Sequence, residues 1–354
     1  MIPKRPIVLA PVFDDEQAVL DAFVRYAPYE LLQGRAQVMA SALEQAAITG
    51  APITDEMVEA AGAPRPQDSL DLRPVFRGYW MLDGQPRVDG LDWLIEFPPL
   101  VAAARRLHHG VGPAANRAVV RPTEIYAHVV CPDEREPRLG SHVDIPNFRG
   151  LGRRDHPTWL LVTMRRSGLF DRWHVPVAVA VIWFYAGAGG RYTYWPAGPD
   201  ADPVTTDSPA WNCAVMGEND TMFHTGHDPR PAHSRPEGLG PSSVLTVDPA
   251  TPDVWLVVDG DRTQLTLERA RIRFALSWSA QVLADADAAA QVDDHTDDLD
   301  LDTVVDIFLD DLAHRGRPVQ RPADPLHEPA WVAALADAYR IVPSTAPPPE
   351  LLAS

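Results

Sequence analysis

The feature that most constrains the fold of this chain is a succession of short strand-like runs between residues 121 and 283. The runs are rich in β-branched and aromatic residues, and Gly, Pro and Asp bound them. They cover residues 124–131, 159–164, 175–185, 191–195, 212–216, 221–224, 244–247, 254–258 and 271–282. No helical pattern separates them, so we predict a mainly β protein built on an antiparallel barrel or jelly roll.

Helical patterns lie on both sides of this β-rich region. They cover residues 14–26, 31–47, 54–61, 91–107, 301–314 and 331–339, with Pro98 and Pro99 dividing the fourth of them. The acidic run 285–300 reads as an exposed linker. We therefore expect one domain, in which a helical flank (1–120) and a second helical flank (284–354) cover a core at 121–283.

Composition limits the partners of the chain. Its 31 Lys and Arg against 49 Asp and Glu give a net charge of −18, and no basic cluster appears, which argues against a nucleic-acid partner. No apolar run is long enough to predict a membrane span or a signal peptide. We expect Cys131 and Cys213 to be buried free thiols in a reducing cytoplasm. The sequence predicts a cytoplasmic protein with a small-molecule substrate, and it leaves the oligomeric state open.

The residues that favour metal chemistry are His142, Asp144 and His224. Side chains two residues apart on a strand leave the same face, so His142 and Asp144 would converge. His224 ends a short apolar run 82 residues later, and it is the best candidate for a third ligand. Two imidazoles and one carboxylate that leave metal positions open are the facial triad of non-haem Fe(II) oxygenases.

Other histidines compete for these roles. The chain has 12 histidines, so a His-x-Asp tripeptide is also expected by chance. The prediction therefore depends on the strands around the tripeptide, the later histidine and the arginine-headed run. His227 lies three residues after His224, but Gly226 suggests that the strand has ended by then. His128 reads as a core residue or a neighbour of the ligands. The loop residue His174 has no convincing partner in the sequence.

An arginine-headed run closes the β-rich region. In an extended strand Arg269, Arg271 and Arg273 would share one face. Buried guanidinium groups need an anion, which a dicarboxylate cosubstrate would supply through a bidentate contact. The alternative is that these arginines pair with surface carboxylates. Tyr126 faces the same way as His128, either as a hydrogen-bond donor to the cosubstrate or as a core residue.

His142, Asp144, His224 and the arginine-headed strand together resemble the Fe(II)/2-oxoglutarate-dependent oxygenase superfamily. Residues 273–277 and 189–198 are similar to phytanoyl-CoA-dioxygenase-like members. The resemblance implies a double-stranded β-helix (jelly-roll) core. It also implies Fe(II) held by His142, Asp144 and His224, with O₂ and 2-oxoglutarate as cosubstrates. Arg273 would then bind the distal carboxylate of 2-oxoglutarate, with Arg271 as the second choice.

The implied reaction oxidises an unactivated C–H bond of a small organic molecule and releases succinate and CO₂. Hydroxylation, desaturation and ring closure all use such a centre, whereas the retained Asp144 argues against halogenation. Arg273 follows His224 by 49 residues, a longer separation than in many members, which requires an insertion. Two alternatives are a cupin-like metalloenzyme that does not use 2-oxoglutarate and a non-catalytic jelly-roll binding protein.

Overall fold

The structure is a computed structural model that describes residues 2–32, 42–61, 72–133, 140–230, 239–251 and 253–345. Antiparallel β-sheet dominates it, and helices flank the sheet. The strands are β1 (Ile7–Leu9), β2 (Tyr29–Leu31), β3 (Val75–Leu82), β4 (Gln85–Pro86), β5 (Val119–Val130), β6 (Val177–Tyr185), β7 (Ala188–Gly189), β8 (Tyr192–Tyr194), β9 (Val204–Thr205), β10 (Ala210–Gly217), β11 (His224–Gly226), β12 (Pro229–Arg230), β13 (Val244–Val247), β14 (Val254–Asp259), β15 (Arg262–Glu268) and β16 (Arg273–Leu283).

The helices lie before, within and after the β-rich region. They are α1 (Glu16–Arg25), α2 (Ala42–Thr49), α3 (Asp55–Glu59), α4 (Asp92–Ile95), α5 (Pro98–His109), α6 (Pro113–Arg117), α7 (Thr158–Ser167), α8 (Ala286–Asp293), α9 (Leu301–His314) and α10 (Pro329–Tyr339). Asp15 caps α1 by accepting a hydrogen bond from the Ala18 N–H, and Thr54 caps α3 through the Met57 N–H. Most of the predicted helices are confirmed. No helix in the described ranges is long and apolar enough to cross a membrane.

Two antiparallel sheets place the site residues. The main sheet has the order β1-β10-β6-β16-β5-β3-β2-β13-β14-β15, and a small sheet has the order β11-β8-β9. A β-bridge between His142 and His224 adds the segment around residue 142 beside β11. The prediction of a mainly β protein with antiparallel strands and flanking helices is confirmed.

The two faces of the main sheet differ in chemistry. One face carries the apolar side chains of Phe76, Val129, Phe184 and Phe274, which pack with Phe23 of α1 in the largest hydrophobic core. Burying one such side chain contributes about 1.5–3 kcal/mol, so this face anchors the sheet firmly. Residues at the alternate positions face the other way, toward the small sheet. On this face Arg77 lies opposite His128, His128 opposite Ala275, and Ala275 opposite Trp183.

The strand predicted at 159–164 is wrong, because these residues lie in α7. Pro157 precedes the helix and Gly168 ends it in the left-handed conformation. The six residues from Trp159 to Met164 are all buried, so the helix has no polar face to reveal a helical period. Tertiary packing on every side therefore makes the run look like a buried strand.

Other predictions near the ends of the β-rich region are also wrong. Residues 269–271 form a 3₁₀ turn rather than the start of β16, so the three arginines do not share one face. Arg269 instead lies over the rings of Trp211 and Phe274. The acidic run 285–300 contains α8 and is not simply a linker.

The N-terminal flank is not wholly helical, since β1, β2 and β3 lie in it and join the main sheet. Leu31 belongs to β2 rather than to a helix, and part of the predicted helix 31–47 lies outside the described residues. The segment after His227 is likewise described only in part, but β13, β14 and β15 extend the main sheet at its edge. Cys131 and Cys213 are free thiols, of which only Cys131 is fully buried.

Candidate metal centre

His142 and His224 are held side by side by backbone pairing. The His142 N–H donates to the His224 carbonyl and the His224 N–H to the His142 carbonyl, both at 2.9 Å. The two imidazole rings are consequently 4.4 Å apart between centroids. The predicted strand at 221–224 is wrong in its extent: β11 begins at His224 and continues through Gly226. His224 thus lies in β11, and this strand ends at Gly226, before His227, as expected from the sequence.

Each of the two rings is oriented by a carbonyl of its own segment. Nδ1 of His142 lies 2.9 Å from the Gly140 carbonyl oxygen, and Nδ1 of His224 lies 3.0 Å from that of Met222. A carbonyl only accepts, so each Nδ1 carries the proton and donates it. Each Nε2 then presents a lone pair, which is the arrangement usual for metal-binding histidines.

Asp144 completes the group from the same segment as His142. Its N–H donates to the Asn219 carbonyl at 2.8 Å, which positions the residue against the loop before β11. One Asp144 carboxylate oxygen lies 3.7 Å from Nε2 of His224. One ligand atom from each of His142, Asp144 and His224 lies within 4.8 Å of the others, which is close enough for one ion to contact all three.

The protonation state of His142 favours the binding of a cation. Burial, with a further contribution from the neighbouring His224, lowers the pKa of His142 to about 4. That imidazole is therefore neutral at physiological pH and able to ligate. The Asp144 side chain is 43% exposed, which leaves one side of the group open to a ligand. Two imidazoles and one carboxylate suit a divalent first-row transition metal such as Fe(II).

A buried ion pair stabilises the loop that carries Asn219. Nε2 of His174 lies 2.6 Å from a carboxylate oxygen of Asp220, and both residues are buried. Burial raises the pKa of Asp220, but the charge of His174 and its hydrogen bond outweigh burial and lower it. Arg165 donates to the Thr221 hydroxyl of the same loop at 2.8 Å. This partner of His174 could not be predicted from the sequence, because Asp220 is 46 residues away in the chain.

Arg273 lies beside Gly226 of the small sheet, and Gly226 follows His224 by two residues on β11. A Cβ added to Gly226 would be 3.3 Å from both terminal nitrogens of the Arg273 guanidinium group. Arg273 is 5% exposed, and within the described residues it donates only one long hydrogen bond, of 3.4 Å, to the Gly190 carbonyl. Its Nε has no acceptor, and burial lowers its pKa, although the charge of Asp228 opposes this. This guanidinium group is arranged to receive an anion.

Polar side chains share the face of the main sheet that carries Arg273. Tyr126 faces the small sheet as predicted, opposite Ser277 across the β5–β16 ladder. Nδ1 of His128 and Oγ of Ser277 are buried without a hydrogen-bond partner. Burial and the charges of two arginines hold the pKa of His128 well below its usual range. Unsatisfied buried polar atoms are rare in folded proteins, so their concentration on one face indicates a place for a ligand.

Two arginines, Arg271 and Arg77, were misjudged from the sequence, whereas His227 was already ranked below His224. Arg271 lies in the 3₁₀ turn before β16, outside the row of inward-facing residues to which Arg273 belongs. Nε2 of His227 lies 2.8 Å from the Thr193 hydroxyl and is not grouped with the triad. Arg77 was missed, because its strand lies in the flank predicted to be helical. The sequence does carry a signal for this strand. Phe76, Arg77, Gly78 and Tyr79 lie in a short aromatic and apolar run whose side chains alternate in character.

A cavity of about 500 Å³ lies apart from the triad. It is bordered by Arg165, His174, Glu218 and Thr221, so the loop before β11 forms part of its wall. Positive and negative side chains are mixed there, and Arg165 already contacts Asp171 at 2.9 Å and Thr221. The triad residues do not border this cavity, and we assign it no role.

No protein-family model matches the chain, and no curated protein matches it significantly. Among solved structures, it is similar to an oxidoreductase of the 2OG-Fe(II) oxygenase family from Burkholderia pseudomallei. The identity is 13%, the TM-score is 0.38, and the match covers 78% of this chain and 85% of that one. It is also similar to a bsmA homolog from Methylobium petroleophilum PM1, with 15% identity, a TM-score of 0.26 and coverage of 56% and 55%. Likeness at this distance carries no functional argument, so the site itself must carry one.

Proposed function

We propose that this protein is an Fe(II)- and 2-oxoglutarate-dependent oxygenase. It would oxidise an unactivated C–H bond of a small organic molecule with O₂, releasing succinate and CO₂. The observation that carries the proposal is the convergence of two carbonyl-oriented imidazoles and one carboxylate within 4.8 Å. The sequence similarity of residues 273–277 to phytanoyl-CoA-dioxygenase-like members supports our assignment to that branch.

The strand order supports a double-stranded β-helix core. Such a core pairs two four-stranded antiparallel sheets face to face. In the main sheet β5, β16, β6 and β10 are neighbours in the order β10-β6-β16-β5. Facing them, the segment at His142, β11, β8 and β9 follow one another through hydrogen-bonded pairs. Two of the metal ligands then come from the segment at His142, and the third comes from β11, with which that segment pairs.

The three ligands and the residues around them would have different roles. His142, Asp144 and His224 would hold Fe(II), which supplies the chemistry that activates O₂ when bound. Three protein ligands leave room for a bidentate 2-oxo acid and O₂. The Gly140 and Met222 carbonyls keep both imidazoles in the tautomer that ligates. Trp183, Tyr192 and Tyr194 pack near His224 and would exclude water from that side.

Arg273 would bind the distal carboxylate of 2-oxoglutarate. Its guanidinium group contacts Gly226, and two residues of extended strand span roughly 6.6 Å from there to His224. This separation suits a five-carbon dicarboxylate whose keto end lies at the metal. The absence of a side chain at Gly226 leaves the terminal nitrogens of Arg273 accessible. Tyr126 would donate a hydrogen bond to the same cosubstrate.

Anaerobic titration of the protein with Fe(II) and then 2-oxoglutarate tests this proposal. We expect one Fe(II) per chain and a weak visible charge-transfer band when 2-oxoglutarate chelates it. Succinate, which lacks the keto group, is the matched control and should give no band. Iron binding without a band would favour a cupin-like metalloenzyme, and failure to bind iron would favour a binding protein. A cytoplasmic location and a small-molecule substrate stay predictions from the sequence.

A further inference from the structure

A second arginine lies on the same face as the residues that surround the triad. Arg77 of β3 is opposite His128 in the β3–β5 ladder. Its guanidinium carbon lies 4.2 Å from the centroid of the Tyr126 ring, and Nη1 donates to the Tyr79 hydroxyl at 3.3 Å. The stacking and the hydrogen bond fix the direction of the guanidinium group.

The charge of Arg77 has no close counterion in the described part of the chain. No carboxylate there lies within salt-bridge distance, and Nε is inaccessible to solvent and lacks an acceptor. Burial lowers the pKa of Arg77, whereas the two tyrosines and the Asp144 carboxylate raise it. Arg77, His128 and Ala275 lie in one row of the main sheet, and Ala275 packs with Tyr192, whose ring centroid is 5.7 Å from that of His224. In the holoenzyme that carboxylate would be bound to the metal, which leaves Arg77 as the free positive charge beside the centre.

The guanidinium groups of Arg77 and Arg273 point to different places: that of Arg77 lies over the Tyr126 ring, and that of Arg273 lies beside Gly226 and Gly190. The two arginines lie on β3 and β16, with β5 between them, so two strand spacings of about 4.8 Å separate their backbones. They also lie in different rows, since Arg77 is opposite His128 and Arg273 is opposite Val130. The site therefore holds two separate anion receptors, of which 2-oxoglutarate requires one.

We propose that Arg77, with the Tyr79 hydroxyl, binds a carboxylate of the substrate to be oxidised, so that the substrate class is an organic monocarboxylate. This inference rests on the proposed function, because it takes Arg273 as the receptor for the cosubstrate. One guanidinium group matches one negative charge. The neighbouring His128 is neutral and adds no second positive charge, which disfavours a phosphate dianion.

Calorimetric titration of Zn(II)-loaded protein tests the inference without turnover, in the presence and absence of 2-oxoglutarate. The probes are benzoate and hexanoate, each matched with its uncharged amide. We expect wild type to bind the carboxylates at least about tenfold more tightly than the amides, as charge-assisted hydrogen bonds require. Arg77→Met should abolish the preference, and Arg77→Lys should keep part of it. Arg271→Met removes a cation outside the site and should keep all of it.

The outcomes separate this inference from the proposed function. A preference that persists in Arg77→Met, or that wild type lacks, would overturn the assignment of Arg77 while leaving iron and 2-oxoglutarate binding untouched. Loss of the preference only in Arg273→Met would show that the probes occupy the cosubstrate position, which also overturns it. Thermal unfolding checks each variant. Arg77→Gln replaces Arg77→Met if the latter does not fold, and it should lose the preference equally.

Discussion

Replacing Arg273 by methionine should weaken 2-oxoglutarate binding without weakening the fold. The side chain is buried, its Nε has no acceptor, and its one hydrogen bond to Gly190 is 3.4 Å long. No salt bridge to it forms among the described residues, and Asp228 attracts it only from a distance. Methionine has a similar length and no charge, so it removes the cation while preserving most of the packing.

The expected changes in 2-oxoglutarate affinity and in the free energy of unfolding differ in sign and size. A bidentate contact has two charge-assisted hydrogen bonds of about 1.5–3 kcal/mol each. Losing both should raise the dissociation constant of 2-oxoglutarate roughly 10²- to 10⁴-fold. The free energy of unfolding should stay the same or increase, because desolvating an unpaired cation costs several kcal/mol and the lost hydrogen bond is worth about 1 kcal/mol at most.

Calorimetric titration of 2-oxoglutarate into the Zn(II)-loaded protein and urea unfolding of the same preparation measure the two quantities. Arg271→Met is the matched control, since Arg271 is two residues away but outside β16, and both quantities should equal those of wild type. A result in which Arg273→Met unfolds about 2 kcal/mol more easily and binds 2-oxoglutarate normally would refute the reasoning, because Arg273 would then be a structural cation.

Two further predictions concern histidines. His224→Ala should lose Fe(II) binding while His227→Ala keeps it, as measured by metal content after dialysis, because only His224 is grouped with His142 and Asp144; equal loss in both variants would contradict the assignment. Burial and then the charge of Lys4 lower the pKa of His108 from 6.5 to about 4, so the folded state resists protonation more than the unfolded chain does. Stability should therefore fall as the pH drops from about 6.5 to about 4. The urea midpoint of His108→Gln should fall less between pH 7 and pH 5 than that of wild type, and an equal fall would exclude His108 as a source of the acid sensitivity.

The grouping of His142 with Asp144 was predictable because its signal is local. His142 and Asp144 are two residues apart, so their convergence follows from strand geometry alone. His224 could be chosen over His227 because Gly226 signals the end of the strand, although that strand begins at His224 rather than ending there. The backbone pairing of residues 142 and 224 depends on tertiary structure and leaves no pattern in the sequence.

The errors arose where packing overrides local pattern. The buried run 159–164 has strand-like composition but packs as a helix between other helices, in the second hydrophobic core. Arg269 was expected to line the site with Arg273, but a 3₁₀ turn rotates it onto the opposite, aromatic face. Arg77 was not predicted, because a single arginine on a strand outside the predicted β-rich region forms no motif. Its significance depends on Tyr79, Tyr126 and Asp144, of which two come from other segments.

The most direct test of the account is a crystal structure of protein grown anaerobically with Fe(II), with anomalous scattering measured at the iron edge. We predict one strong peak per chain at about 2.0–2.2 Å from Nε2 of His142, Nε2 of His224 and a carboxylate oxygen of Asp144. A protein that lacks iron there, or that holds it at His227 or elsewhere, would contradict the claim that these three residues form the metal centre.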